Sequence, residues 1–213
     1  MTGRERLVAS SRGGQLDRQP LLWLGEGSCE MADGVAVGKE GIAPALLAGE
    51  QAVLCWVDGV WLESKGKFSS DDLEGQARAL DSATETAKSH CQQALADGAD
   101  GICYRLAGAE PAHSSPMEYG GLVLERDREV LESVAESRLN VVYVENEGEA
   151  YLDFLTDLPC HFLAWNGEAP STLDEVRALR GGAVADDSSQ ADAFCARTKI
   201  ELENYSKLEA KSR

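Results

Sequence analysis

Several short apolar runs of this sequence end in side chains that could bind or act on a small molecule. The candidate ligand-binding residues at these ends are Trp23, Tyr104, Arg105, Tyr143, Glu145, Asn146, Trp165 and Asn166. Two carboxylates in similar positions, Glu40 and Asp58, are candidates for catalytic proton transfer. A guanidinium can anchor an anionic group, an aromatic ring can form a wall, and a carboxylate can act as acid or base. The pattern predicts a small-molecule pocket wherever the ends of these runs meet.

Seven of the apolar runs have the length and composition of β-strands. The predicted strands cover residues 21–24, 35–37, 51–57, 101–104, 140–145, 161–165 and 182–185. Helical patterns alternate with them: one follows Ser69 and stops at Gly98, one has a capping box from Ser171 to Asp174, and a closing helix covers Ser189 to about Leu208. This alternation predicts an α/β fold with a parallel sheet and right-handed crossovers. Periodicity is compatible with both a shortened TIM-type barrel and an open doubly wound sheet.

The composition argues against two classes of partner. The chain has 37 acidic and 20 basic side chains, a formal charge of −17, which repels phosphate backbones and anionic lipid headgroups. We therefore expect neither nucleic acid nor a membrane as partner. Residues 1–12 are too polar for a secretory signal, and no apolar run approaches the roughly 20 residues that cross a bilayer. The six cysteines lack C-x-x-C spacing, so we expect free thiols in a cytoplasmic protein.

Six segments, taken in order, resemble uroporphyrinogen decarboxylase-like proteins. They include Asp17-Arg18-Gln19-Pro20 before the first strand, Gly98-Ala99-Asp100 before the fourth, and Leu158-Pro159 before the strand that ends in Trp165-Asn166. The other segments are residues 4–6, 115–119 and 171–176. The resemblance implies a single (β/α) TIM-barrel-like domain over residues 1–213, with its site at the carboxyl ends of the strands. Nothing in the sequence resembles an eighth strand, so we expect about seven parallel strands in a shortened, incomplete barrel.

The resemblance also implies a cofactor-free mechanism. In the decarboxylases a carboxylate after the second strand holds the substrate, and the matching residue here is Glu40. The arginine-bearing loop expected after the first strand is replaced by the acidic run 25–30, which argues against a true uroporphyrinogen decarboxylase. Related corrinoid methyltransferases bind zinc through His-x-Cys, where this chain has Tyr143-Val144-Glu145. We therefore predict no metal, although a substitute site with Glu145, His113 or His161 stays open.

Two functions follow from these features. The first is a decarboxylase- or methyltransferase-type enzyme that acts on a small or tetrapyrrole- or corrinoid-linked substrate, with Glu40 or Asp58 as acid or base and Arg105 as anion anchor. The second is a non-catalytic family member that binds a ligand or acts as a dimeric interaction protein. An incomplete barrel would leave unpaired strand edges that a homodimer could cover, so we expect a homodimer.

Overall fold

Eight parallel strands form a closed barrel in this protein. The computed structural model describes residues 1–47, 49–64, 72–166, 172–186, 191–197 and 199–212. The strands are Leu21–Trp23 (β1), Gly34–Val37 (β2), Ala52–Asp58 (β3), Gly101–Leu106 (β4), Val141–Val144 (β5), Phe162–Trp165 (β6), Ala183–Asp186 (β7) and Ala193–Ala196 (β8). Each strand pairs with the next, and β8 pairs with β1. The predicted TIM-barrel-like class is confirmed.

Helices of very different length cover the outside of the barrel. They are Gly3–Ser11 (α1), Ile42–Leu47 (α2), Val60–Glu63 (α3), Leu73–Ala96 (α4), Pro116–Glu118 (α5), Leu124–Glu132 (α6), Leu152–Leu155 (α7), Leu173–Leu179 (α8) and Lys199–Ser212 (α9). A 3₁₀ turn, Lys39–Gly41, precedes α2, and a π-helical turn, Tyr119–Val123, precedes α6. None of the described helices combines the length and the apolar composition that crossing a bilayer requires.

The eighth strand corrects the predicted incomplete barrel. We predicted that Ser189 begins a closing helix, but residues 193–196 form β8, and α9 begins only at Lys199. The run Ala-Phe-Cys-Ala lacks the β-branched residues that mark a strand, so its conformation depends on pairing with β1 and β7 rather than on local propensity. Because the barrel closes, the unpaired edge that motivated a homodimer is absent from the described strands, and the homodimer stays a prediction.

Two predicted helix starts, at Ser69 and Ser171, lie outside the described residues. The first described cap of α4 is Asp72, which accepts the N–H of Gly75 at 2.8 Å. The capping box of α8 consists of Thr172 and Glu175, one residue later than predicted.

The interior of the barrel is filled by side chains that alternate along the strands. Small residues dominate it, namely Ala36, Ala52, Ala164, Ala183, Ala185 and Ala193. Larger side chains fill the space between them, among them Leu22, Leu54 and Phe162. Alternating small and large residues pack a barrel of this size without a pore. The lower barrel is therefore a packed core, and the place to look for a site is the mouth, where the strands end.

The same hydrogen bond recurs at the amino-terminal ends of the strands, which we call the foot of the barrel. A side-chain oxygen of the residue just before one strand accepts a backbone N–H at the start of the preceding strand. The pairs are Asp33 with Leu21 at 2.8 Å, Asp100 with Val53 at 3.0 Å, Asn140 with Ile102 at 3.2 Å and Asp192 with Val184 at 2.9 Å. Each bond fixes the offset between two neighbouring strands.

Asp33 also holds the foot together through charge. Its carboxylate is 1% exposed and receives both Arg18 Nη1 and Nη2 at 2.8 Å, as well as Arg6 Nη1. Arg6 binds Asp17 through Nε at 2.7 Å, which raises the pKa of Arg6 and lowers that of Asp17. A buried carboxylate is tolerated only when it is paired in this way. The Asp17-Arg18 pair of the sequence resemblance therefore belongs to the foot.

The outer faces of β1 and β8 are covered by α9. Tyr205 of α9 packs its ring 5.2 Å from that of Phe194 and accepts a hydrogen bond from Arg18 Nη1. Its hydroxyl donates to the carbonyl oxygen of Gln19 at 2.9 Å. Trp23 belongs to the same apolar cluster. Residues 24–33 connect β1 to β2 without a helix, so α9 replaces the cover that a helix would give there.

We expect the substitution Asp33→Asn to lower the free energy of unfolding by about 3 kcal/mol, because it leaves two arginines beside a neutral amide. Urea unfolding followed by circular dichroism measures this difference. Asp81→Asn is the matched control, since Asp81 binds Arg126 at an exposed site, where an ion pair contributes about 1 kcal/mol or less. Equal losses in both variants would contradict the role assigned to Asp33.

Candidate functional site

The mouth of the barrel carries a cation between two carboxylates. Asp58, Arg105 and Tyr143 are direct neighbours in register across β3, β4 and β5. Arg105 Nε donates to Asp58 Oδ1 at 2.9 Å, its Nη2 lies 2.7 Å from the same oxygen, and Glu145 Oε2 lies 3.6 Å from Nε. All three charged side chains are partly exposed. Three predicted site residues, Asp58, Arg105 and Glu145, are therefore brought together.

Tyr143 lies beside this group, and a second arginine binds it. Arg197, directly after β8, donates from Nη1 to the Tyr143 hydroxyl at 2.9 Å and from Nη2 to Glu201 at 3.2 Å. Trp56 of β3 packs edge-on against Tyr143, with ring centroids 5.7 Å apart. Burial raises the pKa of Tyr143 above its ordinary value of 10, and the hydrogen bond from Arg197 opposes part of this shift. Tyr143 is therefore a protonated hydrogen-bond donor at neutral pH.

A polar cavity of about 800 Å³ opens beside Arg105, above the ends of β4, β5 and β6. Its lining includes Trp61, Arg105, His113, Glu145, Asn146 and Asn166. Asn166 Oδ1 accepts the N–H of Asn146 at 3.0 Å, and its Nδ2 donates to the Asn146 carbonyl oxygen at 3.1 Å. The two predicted asparagines therefore tie two loops together at the rim of this cavity.

Glu110 also lines the polar cavity and holds neighbouring parts of its wall in place. Its carboxylate is 2% exposed and accepts the N–H groups of Glu147 and Gly148, each at 3.0 Å, through Oε2. The other oxygen, Oε1, lies 3.4 Å from His113 Nε2. A carboxylate close to one ring nitrogen restricts the orientation of the imidazole ring. His113 is thus an oriented imidazole on a cavity wall.

A second cavity, of about 500 Å³, lies on the other side of the mouth. It is mainly apolar, and its walls include Leu24, Val37, Pro44, Ala45 and Trp56. The loop after β1 closes one side of it. A Cβ at Gly25 would collide with the carbonyl oxygen of Arg197 and with the Trp23 ring, so only glycine allows this loop to pass so close to β8. The apolar cavity and Arg197 are therefore near neighbours.

Three predicted site residues point away from the mouth. Trp23, Tyr104 and Trp165 alternate with inward-facing neighbours, so their side chains lie on the outer face of the barrel, against helices and loops. Trp23 Nε1 donates to the Gly27 carbonyl oxygen at 3.2 Å. Side chains alternate between the inner and the outer face of a strand, so an aromatic residue at a strand end lines the site only if it lies on the inner face. The structure does not bring these three residues into the site.

Tyr104 belongs instead to a buried polar cluster with Tyr119 and Asp127. Both tyrosine hydroxyls donate to the Asp127 carboxylate, that of Tyr119 at 2.9 Å. Val60, the first residue of α3, donates its N–H to the same carboxylate at 3.1 Å. Burial raises the pKa of Asp127 to about 6, and these hydrogen bonds oppose part of the rise. The cluster fastens β4 to α3 and α6.

Glu40, predicted as a catalytic carboxylate, is exposed in the 3₁₀ turn after β2. It lines neither the polar nor the apolar cavity. Asp58 is the other predicted catalytic residue, and its carboxylate is bound to Arg105. Within the described part of the chain, no three His, Cys, Asp or Glu side chains are grouped so that they could hold a metal ion.

Sequence reasoning missed Arg197, Glu110 and the orientation of Trp56. Arg197 was missed because its strand was assigned to a helix. A signal for that strand exists: Ala191-Asp192-Ala193-Phe194-Cys195 parallels Ala99-Asp100-Gly101-Ile102-Cys103, in which the aspartate precedes a strand. A third copy, Ala32-Asp33-Gly34, precedes β2. The short repeat marks strand starts at the foot of the barrel.

Comparison with known proteins supports the fold. A solved structure described as an aldolase, QR15, matches with a TM-score of 0.52 and 16% identity over 84% of each chain. A morphinone reductase variant in complex with tetrahydroNAD matches with a TM-score of 0.46 and 13% identity, over 78% of this chain and 74% of that one. No protein-family model and no curated protein matches the sequence. The first likeness shows a shared TIM-barrel fold, on which enzymes of many kinds are built.

We expect Asp127 to make the protein less stable as the pH rises. Its folded pKa of about 6 exceeds the ordinary value of 3.8, so its contribution to stability is full below pH 3.8 and is lost as the pH rises through 6. The loss amounts to about 3 kcal/mol. Asp127→Asn removes this titration, so the stability of the variant relative to the original protein should increase between pH 4 and pH 7.

Urea unfolding at several pH values measures this difference. Asp81→Asn serves as the control for an exposed aspartate, and its stability difference from the original protein should vary far less over the same range. A difference for Asp127→Asn that stays constant from pH 4 to pH 7 would contradict the raised pKa.

Proposed function

We propose that this chain binds a carboxylate-bearing small molecule at the mouth of its barrel and acts on it as a decarboxylase-type lyase of the uroporphyrinogen decarboxylase-like superfamily. The observation that carries the proposal is the position of Tyr143 between two arginines. Arg105 is its register neighbour on β4, and Arg197 donates to its hydroxyl. The Arg197 guanidinium at this hydroxyl, with Arg105 in register on the neighbouring strand, supports a site for an anion within a strongly acidic protein.

The charge of the whole chain makes this local cation pair important. With a formal charge of −17, the surface repels a carboxylate unless cations compensate at the site. A guanidinium has five N–H donors, and the two described hydrogen bonds of the Arg197 side chain use two of them. Further donors can bind a ligand carboxylate, and charge-assisted bonds of this kind are the strong ones.

Tyr143 supplies the proton that decarboxylation requires. When the bond between the carboxyl carbon and its neighbour breaks, carbon dioxide leaves, and the electron pair stays on the neighbouring carbon. That carbon then takes the proton of the Tyr143 hydroxyl, and solvent returns a proton to the phenolate. The pKa of Tyr143 is raised by burial, so the hydroxyl is protonated before the reaction. Arg197, bound to the same oxygen, stabilises the transient negative charge.

One observation favours a non-catalytic binding protein as the second candidate. Arg105 is already bound by Asp58 and faces Glu145, so its charge is partly neutralised before any ligand arrives. Glu40, which the resemblance implies as the catalytic carboxylate, stands outside both cavities. A methyltransferase is less well supported, because Tyr143-Val144-Glu145 contains neither the histidine nor the cysteine of that site.

We expect Arg197→Gln to weaken binding of phenylacetate about 10- to 100-fold, because it removes a charge-assisted hydrogen bond. Isothermal titration measures the affinity. Phenylacetate is the probe. The uncharged 2-phenylethanol should bind the original protein more weakly than phenylacetate does, and its affinity should be the same for the original protein and for Arg197→Gln. Arg78→Gln, at an exposed position on α4, is the matched control and should bind as the original protein does. Unchanged phenylacetate affinity in Arg197→Gln would overturn the proposed anion site.

Turnover separates the lyase from the binding protein. Incubation with aromatic acetates that carry ¹³C in the carboxyl group should release labelled carbon dioxide, detected by NMR. We expect Tyr143→Phe to reduce this release at least 100-fold while the ring packing against Trp56 is kept. Tight binding of the acids without release of carbon dioxide would instead support the non-catalytic candidate.

A further inference from the structure

We infer that the ligand of the mouth is an amphipathic monocarboxylate, whose uncharged ring system occupies the apolar cavity while its carboxylate binds Arg197 and Tyr143. This inference rests on the proposed anion site and adds the chemical class of the ligand. It begins from the position of the apolar cavity beside that site. Two of the residues that line the cavity also connect it to the anion-binding pair.

Trp56 forms the first connection. Its side chain lines the apolar cavity and packs edge-on against Tyr143, whose hydroxyl receives the bond from Arg197. A ring in the cavity would therefore lie against Trp56, the residue that also contacts the phenol ring of Tyr143. Aromatic pairs in such edge or offset arrangements gain stability beyond the area they bury.

Leu24 forms the second connection. Its side chain lines the same cavity, and its N–H donates to the carbonyl oxygen of Ala196 at 2.9 Å, one residue before Arg197. The apolar cavity thus reaches the mouth next to the backbone that carries the guanidinium. An anionic group attached to a ring by a short linker could span the two parts of the site.

The size and composition of the cavity define the apolar part of the ligand. A dry cavity of about 150 Å³ is enough for benzene, and this cavity has about 500 Å³. It can therefore hold a ring system larger than a single phenyl group. The side chains of Val37, Pro44 and Ala45 are apolar, and most of the cavity wall is apolar, which favours a ring with few hydroxyl groups.

Charge restricts the ligand further. Glu26, in the loop after β1, also lines the apolar cavity. A second carboxylate on the ring system would approach this side chain and be repelled by it. The site therefore selects a single anionic group, at the end of the ligand that faces Arg197, and it disfavours a polycarboxylate such as a porphyrinogen.

The experiment compares three probes by isothermal titration: phenylacetate, acetate and 2-phenylethanol. Phenylacetate should bind at least tenfold more tightly than either of the others, because only phenylacetate has both the ring and the charge. Ala45→Phe fills the cavity from α2 and should weaken phenylacetate binding at least tenfold while leaving acetate binding unchanged. Ala43→Phe is the matched control, because Ala43 is exposed on the same helix and should leave both affinities unchanged.

Val37→Thr keeps the side-chain volume and adds a hydroxyl to the cavity wall, so it tests the same wall if Ala45→Phe does not fold. It should weaken phenylacetate binding and spare acetate binding. Equal affinities of the original protein for phenylacetate and acetate, or full phenylacetate affinity in a folded Ala45→Phe, would overturn the inference. Loss of phenylacetate binding in Ala45→Phe, together with full affinity in Arg197→Gln, would overturn the proposed anion site and leave the apolar site standing.

Discussion

The recurring hydrogen bond at the foot of the barrel determines how the rest of the structure is arranged. An oxygen of Asp33, Asp100, Asn140 or Asp192 accepts an N–H from the preceding strand, and so fixes the offset of four described strand pairs. A slip of one residue would turn every inward side chain outward. With Asp100 fixed before β4, residues 101, 103 and 105 face inward, and Arg105 therefore reaches the mouth. The foot thus decides which side chains can meet a ligand.

The two ends of the barrel use charge in opposite ways. At the foot, Arg6 and Arg18 neutralise the buried carboxylate of Asp33. At the mouth, Arg105 lies between the partly exposed carboxylates of Asp58 and Glu145, and Arg197 binds the Tyr143 hydroxyl. A TIM barrel commonly separates stability at the amino-terminal face from chemistry at the carboxyl face. In this chain the buried ion pairs of Asp33 lie at the amino-terminal face, and the candidate site lies at the carboxyl face.

Much of the fold was predictable, and less of the site. Seven strands were located from apolar runs bounded by Gly, Pro and polar residues, because buried parallel strands read as continuous apolar segments. The eighth was missed because Ala-Phe-Cys-Ala is stabilised by pairing across the barrel, which no local pattern reports. Arg197 directly follows this strand and was therefore missed as well. The sequence prediction placed Trp23, Tyr104 and Trp165 at the mouth from their residue type alone. Side chains alternate between the two faces of a strand, and this alternation puts all three on the outer face. Arg105, Tyr143 and Glu145 have both a suitable residue type and an inward-facing position.

The cover that α9 gives to β1 and β8 has a consequence for synthesis of the protein. Strand β1 is synthesised before β8, and its partner β8 and its covering residue Tyr205 follow more than 170 residues later. Until then, Leu21 and Trp23 stay exposed to solvent, and the unpaired edge of β1 can pair with another chain. The barrel therefore stays open between β1 and β8 until the end of this segment is synthesised. A chaperone that covers the exposed edge of β1 would improve the yield of folded protein.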